Sequence, residues 1–388
     1  MNYPRILKLS QANLAAIFLI FFYFSEAISK FSIVYLDGKS NLPRAIKFLV
    51  LLFLLFKIIK PIRNFILPVL LFVFFIIGQL FIDNGFSKEI VISFSKFLFP
   101  VFLFFYFNKY IQNQLSRKLF FQAFEWLIII NSFLIFVGFL LNEELFKTYE
   151  GPRFGYNGLF ITSATSSYVY TIVLFYFLVK LKNNFFKNRK VWLAIACSLL
   201  VGTKALYISL FGVLLIFLIY FSNFKKIHRK LVAAIFVIFS LSLIYIFFFQ
   251  YGRFNEIRLQ QGLFSSIFSF RDHLLLGETL PYIQNNWKWP NYLFGGISDL
   301  STRTQMGFID VFYFWGIVGG IVYLYTFYKS YIYFDLNNWK IYLFLILSVI
   351  VFLSGNFFEN ASLAIYLLIL KERLIYDDTF NKMKTINE

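Results

Sequence analysis

Apolar residues in this chain recur in runs of about 15–22, separated by short polar connections, and a helix of that length crosses a hydrocarbon core of about 30 Å. The runs are 13–29, 45–59, 65–82, 90–107, 119–141, 160–179, 191–201, 205–221, 231–249, 308–328, 341–353 and 361–370. They predict an all-α polytopic membrane protein with about 12 transmembrane helices. The runs starting at Val191, Ala205 and Ala361 are short or share a boundary. The run from Ala45 carries Lys47 and Lys57 near its ends, where long cationic stems reach back to the interface.

Two connections are longer than the rest, at 143–159 and 250–306. The second is a long, partly helical loop between the ninth and tenth predicted helices. No internal repeat, Gly/Ser or Pro-rich linker or soluble domain interrupts the pattern, so residues 1–388 read as a single transmembrane domain. Arg5 and Lys8 ahead of the first run resemble a secretory signal, but no small-x-small cleavage site follows and the apolar runs continue, which favours a signal-anchor helix.

Composition agrees with lipid as the solvent: 60% hydrophobic and 23% aromatic residues, against 14% charged, exceed what one water-soluble core can bury. The net charge of +18 would point to nucleic acid if it were spread evenly. With a cytoplasmic N-terminus, however, about 23 of the 37 Lys and Arg and only about 5 of the 19 acids fall on the inside, as the positive-inside rule requires. The inside excess accounts for the net charge, and a nucleic-acid role loses its support. Both termini are then cytoplasmic, and the loops at 143–159 and 250–306 lie outside. Cys197 is the only cysteine, which excludes disulfides and cysteine-ligated metal sites.

Candidate chemistry gathers on the outside. The long loop holds Arg253, Arg258, Arg271 and Arg303 but a single lysine, Lys288, and arginine suits planar oxyanions that take two hydrogen bonds at once. One exposed arginine is ordinary; four on the face that otherwise excludes positive charge point to an anionic ligand. Asp272 and His273 follow Arg271, and Glu278 lies about two turns on, so a proton acceptor is available there, although chance also explains one Asp-His pair. His228 belongs to a basic KKIHRK edge. GPRFGYNG (151–158) brings Arg153 and Tyr156 beside glycines, and GTKA (202–205) puts Lys204 at an outside turn, where it either snorkels or enters a polar cavity. Asp310 opens the helix containing WGIVGG, a place a helix N-terminus favours for a carboxylate without any function, and Gly316, Gly319 and Gly320 permit close helix packing. Glu26 and Glu125, inside spans, need partners, of which Lys96 is one candidate. No GxGxxG after a strand, P-loop, HExxH or GxSxG context is present.

GPRFGYNGLF leading into a Ser/Thr-rich helix, LLVGTKALYISL at a helix break, SFRDHLL, LFGG and IDVFYFWGIVGG together resemble the bacterial O-antigen and capsule polymerases (Wzy) of the O-antigen polymerase and ligase superfamily. The resemblance covers most of the chain in topology and is specific in these short pieces. Similar proteins carry Arg where Lys204 stands, a loop arginine at Arg271 and an acid at Asp310. Many also carry acids shortly before the last position, where this chain has Gln305 and Gly307.

The resemblance implies an inverting, GT-C-like glycosyltransferase that needs no metal or cofactor, in the bacterial inner membrane. It would move a glycan from undecaprenyl pyrophosphate to a hydroxyl of the next lipid-linked repeat unit, on the outer face, in lipopolysaccharide or capsule biosynthesis. Arg153, Tyr156, Lys204, Arg253, Arg258, Arg271 and Arg303 would hold the substrate and its pyrophosphate. His273, Asp272 or Asp310 would serve the acceptor proton. The implied partners are the lipid-linked glycan as donor and acceptor, membrane lipids and a chain-length regulator protein. Trp287, Trp289 and Tyr292 read as interfacial anchors or as sugar-stacking rings. Two alternatives remain open: an O-antigen ligase, and a flippase for lipid-linked sugars, which should show repeat symmetry that this chain lacks.

Overall fold

The structure, a computed structural model, describes residues 3–387 other than 37, 39, 59–64, 111–113, 150, 152, 251–252 and 333; side chains are described outside 3–12, 58, 109–110, 114–115, 226, 243, 247–248, 253 and 379–387. Each predicted apolar run overlaps a helix, with ends that differ by a few residues: α1 (Tyr3–Tyr35), α2 (Leu42–Ile58), α3 (Ile66–Leu80), α4 (Lys88–Tyr110), α5 (Gln114–Leu141), α6 (Ser163–Leu181), α7 (Arg189–Leu200), α8 (Lys204–Ile216) and α9 (Lys226–Tyr245) precede the long loop. The loop folds into α10 (Arg253–Gln261), α11 (Leu263–Phe268), α12 (Arg271–Leu274), α13 (Leu280–Asn286) and α14 (Trp289–Phe294). The chain then completes α15 (Gly307–Tyr331), α16 (Asn338–Ser354) and α17 (Ala361–Asn387). Among the described residues the only β-pairing is a bridge between Lys147 and Tyr156.

Among the described residues six segments are long and apolar enough to cross a membrane: Asn13–Tyr35, Lys88–Asn108, Ser116–Leu141, Ser163–Lys187, Lys204–Phe221 and Gly307–Tyr331. Ile66–Leu80 and Asn338–Ser354 are shorter apolar helices. This is the make-up of a helical multi-pass membrane protein. The outer face of α9 agrees with it, since Leu231, Ile235, Ile238 and Phe239 are all exposed, a row that water would penalise and lipid accepts.

Helix ends follow local chemistry. Thr162 caps α6 by accepting from Thr165 N, so α6 starts later than its apolar run, and Asn188 and Asn337 cap α7 and α16 in the same way. α17 outruns its apolar stretch because its polar second half is paired: Glu372 accepts from Arg117 at 2.9 Å and Asp377 pairs with Lys182 at 2.7 Å. The centre of the bundle is α6 packed on α17; every residue from Thr165 to Val179 is buried, as a helix apolar all round should be. Aromatic rings fill the space between α3, α4 and α15, with Phe75 stacked on Phe94 at 4.3 Å and Phe97 tilted against Phe314 at 4.7 Å.

Glycines set the close crossings. At Gly316 the backbone turns to φ 68°, ψ −172°, so α15 is two helices joined at a break. A Cβ at Gly316 would strike the backbone of Leu293, Phe294 and Gly295, and one at Gly78 would lie 2.5 Å from Phe294 O. Asn291 Nδ2 completes the joint by donating to Gly78 O at 2.8 Å and Gly295 O at 2.7 Å.

The buried acids have partners other than Lys96. Glu26 accepts from Lys47 at 2.8 Å and from Ser362. Glu125 accepts from Lys180, from Lys190 at 2.7 Å and from Tyr176 at 2.8 Å.

Candidate active site at the loop end

One end of the bundle carries the connection 142–162, the turn 201–203, helices α10–α14 and the connection 355–360; we call it the loop end. The shorter connection is fixed from below by Lys30, whose Nζ donates to Asn157 Oδ1 at 2.5 Å, Gly158 O at 2.6 Å and Lys147 O at 3.2 Å. With all three donors used, a buried ammonium is tolerable here. Thr148 N to Gly155 O and Asn157 N to Phe146 O, both 2.8 Å, close the connection on itself, and Tyr156 N donates to Leu200 O at 2.8 Å. Gly202, at φ +70°, lets the next turn pass under it; a Cβ there would sit 3.0 Å from Phe154 O. Arg153 and Lys204 are thereby held on adjoining strands of backbone.

Lys204 begins α8. Its ammonium donates to Ser266 O and to Ile267 O at 3.3 Å, and it stands 4.2 Å from the centroid of the Phe254 ring. These are carbonyls of the last turn of α11, a favourable seat for a cation. Ser269 (φ 55°) and Phe270 (φ 65°) are both left-handed, which for non-glycine residues costs about 1–2 kcal/mol each and reverses the chain between α11 and α12. The reversal brings Arg271 inward. Its Nη1 donates to Phe268 O at 3.2 Å, while Nε is buried with no hydrogen-bond partner among the described residues. Burial holds the Arg271 guanidinium below its usual range, and Tyr168, Asp310 and Tyr149 pull it back. Arg271 and Arg153 both act on Lys204 electrostatically, so the three cations form one cluster. Arg153 itself is exposed and lies over the Tyr149 ring at 3.5 Å.

Asp310 sits in the first turn of α15, buried to 4% exposure. Thr304 Oγ1 donates to its Oδ1 at 2.8 Å, and Oδ2 is buried without a partner among the described residues. Arg271 and Asp310 both lie in the electrostatic field of Tyr168, whose hydroxyl donates to Gly355 O at 2.8 Å. Beyond Asp310, Arg303 is ion-paired with Glu359, whose Oε2 is a buried acceptor with no partner among the described residues, and Lys96 stands in the field of both. Asn356 Oδ1 is another such acceptor on the same connection. Unpaired buried polar atoms are rare in folded proteins. Here they recur around one polar region that joins Arg271, Tyr168, Asp310 and Glu359.

The other predicted residues are placed differently. Ser265 Oγ lies 2.5 Å from Asp272 Oδ2 and 2.9 Å from His273 Nε2. A serine–histidine–aspartate relay needs the acid on the far ring nitrogen, whereas here the same Nε2 faces both, 3.9 Å from Asp272 Oδ2. His273 is half exposed. Arg258 bonds Asn255 Oδ1 at 2.8 Å within α10 and covers the ring of Phe249, from the segment that follows α9, at 5.0 Å. Tyr156 donates to Asn142 at 2.9 Å and is buried among Phe139 and Phe154, a structural role. Trp287 Nε1 donates to Gly296 O at 2.9 Å, so its ring is committed to the loop joint. The side chain of Arg253 lies outside the described residues.

Tyr168, Asn356 and Glu359 escaped the sequence reading. A Glu and two Asn in the short connection between two apolar runs, GNFFEN (355–360), are the signal that would have found two of them. The chain matches no protein-family model, no curated protein and no solved structure.

Proposed function

We propose that this protein is a polymerase-type glycosyltransferase that lengthens lipid-linked glycans at the loop end. The observation that carries the reading is the union, in one polar region, of a cation cluster containing an unpartnered Arg271 Nε with a buried carboxylate, Asp310, whose Oδ2 is free to accept. In this reading the bundle makes twelve passes, both termini are cytoplasmic, and the loop end faces outward from the bacterial inner membrane. The resemblance of SFRDHLL, LLVGTKALYISL and IDVFYFWGIVGG to the O-antigen and capsule polymerases supports the same assignment.

The chemistry follows from the two halves of the site. The acceptor hydroxyl oxygen attacks the anomeric carbon of the donor glycan from the face opposite the lipid, and the bond from that carbon to the pyrophosphate oxygen breaks. The leaving group departs with the electron pair and gains negative charge, which Arg271, Lys204 and Arg153 stabilise more strongly than the ground state. Asp310 Oδ2 accepts the hydroxyl proton. Asp272 and His273 would position Ser265 and the α11–α12 reversal instead of taking that proton.

Deleting the gene and separating the surface glycan on a gel tests the reading. Lipid capped with a single repeat unit is the expected result. Loss of all capped glycan would assign the protein to ligation or flipping, and retained long chains would overturn all three.

A further inference from the structure

At the end of the bundle opposite the loops, the first half of α5, the first turn of α7, the last two turns of α6 and the middle of α17 surround a cavity of about 1010 Å³. Arg117, Lys118, Lys180, Lys190 and Arg373 line it, and among the described residues Glu125 is the only acid that does. Glu125 is shared by Lys180 and Lys190, and Arg117 is held by Glu372 at 2.9 Å. Five cations against two carboxylates leave the cavity positive.

Arg373 is the residue left over. Its guanidinium is set among the rings of Phe121, Tyr176 and Tyr376, 5.2–5.9 Å from their centroids. Its Nη2 reaches Lys180 O at only 3.5 Å, and its Nε is buried with no hydrogen-bond partner among the described residues. A planar fork fixed by aromatic faces, with a donor unspent, suits a phosphate oxygen. Lys118 is exposed at the rim.

We propose that this cavity binds the phosphate of an anionic phospholipid headgroup. The choice of a lipid over a soluble phosphate rests on where the cavity opens. Trp126, 65% exposed, and Ile129 form its far wall, and Trp126 is eight residues beyond Lys118, about 12 Å deeper along α5 at about 1.5 Å per residue. Arg117 and Lys118 thus lie toward the helix end, Glu125 with Lys180 and Lys190 stands level with Trp126, and Ile129 continues the wall as apolar surface beyond them, an order that matches a headgroup followed by its acyl chains; tryptophan favours that boundary. The site is independent of the glycan reading and shares no residue with it.

The test uses the full-length protein, purified with retained lipid and reconstituted in nanodiscs holding equal phosphatidylglycerol and phosphatidylcholine, with bound lipid counted by native mass spectrometry after release. Phosphatidylglycerol should be retained about tenfold over phosphatidylcholine, and Lys118→Glu with Arg373→Gln should remove that preference. Because Arg373 packs in the bundle, Lys118→Glu alone, at an exposed position, is measured as well and should lower the preference by about threefold. Equal retention of the two lipids, or an unchanged preference in both folded variants, would overturn the proposal. Displacement of the lipid by about 1 mM inorganic phosphate or pyrophosphate would overturn it in favour of a soluble anion.

Discussion

Glu125, at the end away from the loops, accepts hydrogen bonds from Lys180, Lys190 and Tyr176. Asp310, at the loop end, has one oxygen held by Thr304 and the other held by nothing among the described residues. The contrast extends to neighbours: Glu372 and Asp377 are paired with Arg117 and Lys182, whereas Glu359 leaves Oε2 bare despite its pairing with Arg303. Both ends bury carboxylates in an apolar bundle, where an unpaired charge is costly. An end that satisfies its acids is built to hold helices together. One that leaves acceptors and a guanidinium donor open holds free energy in reserve for a ligand. Arg373 is the exception at the satisfied end, and for that reason it marks the lipid site.

Substitutions can break or sharpen this contrast. The largest effect is expected from Arg271→Ala: chain lengthening should fall about a thousandfold, near 4 kcal/mol of lost leaving-group stabilisation, with normal amounts of protein in the membrane. A normal glycan ladder from this variant and from Arg153→Ala would refute the anion-holding assignment. Asp310→Asn keeps shape and hydrogen bonding but removes the proton acceptor, so the rate should drop about a hundredfold at unchanged thermal stability. If stability falls instead and the rate per folded molecule does not, Asp310 is structural. Glu125→Gln should do the reverse, lowering stability by about 2 kcal/mol while each folded molecule works normally; the partial exposure of Lys180 and Lys190 keeps the loss below that of a fully buried pair. Thermal unfolding in detergent beside a per-molecule rate separates the two cases. Tyr156→Phe should be mildest, costing about 1 kcal/mol for the bond to Asn142 and leaving the ladder intact.

Much of the helix plan was legible because lipid imposes one length scale on every apolar run, and the polar interruptions at 143–159 and 250–306 stand out against it. The break at Gly316 was not: WGIVGG reads as a packing stripe, and only the arrival of Leu293–Gly295 on its backbone shows why glycine is required. Within the site, Arg153, Lys204 and Arg271 were visible as cations in the wrong place for their charge. Their union with Tyr168 and Glu359 was invisible, since it joins α6, α12 and the connection before α17 over long separations in sequence. Arginine type alone also overstated the cluster: Arg258 and Arg303 are spent on Asn255 and Glu359, and pairing is a property of packing. His273 was singled out by its chemistry, yet its ring meets Ser265 on the same side as Asp272.

The joint between Gly78, Gly295 and Gly316 has a consequence for how this sequence can vary. At each position the atoms that would meet a side chain belong to backbone: Phe294 and Gly295 for Gly78, Phe314 and Gly316 for Gly295, and Leu293 to Gly295 for Gly316. A crowded side chain can be trimmed by a second mutation elsewhere, but a peptide unit has no smaller replacement. The three sites should therefore drift as one block, intolerant in any saturation scan and without suppressors. In such a map, LFGG and WGIVGG would appear as a single hereditary unit, divided only by its numbering.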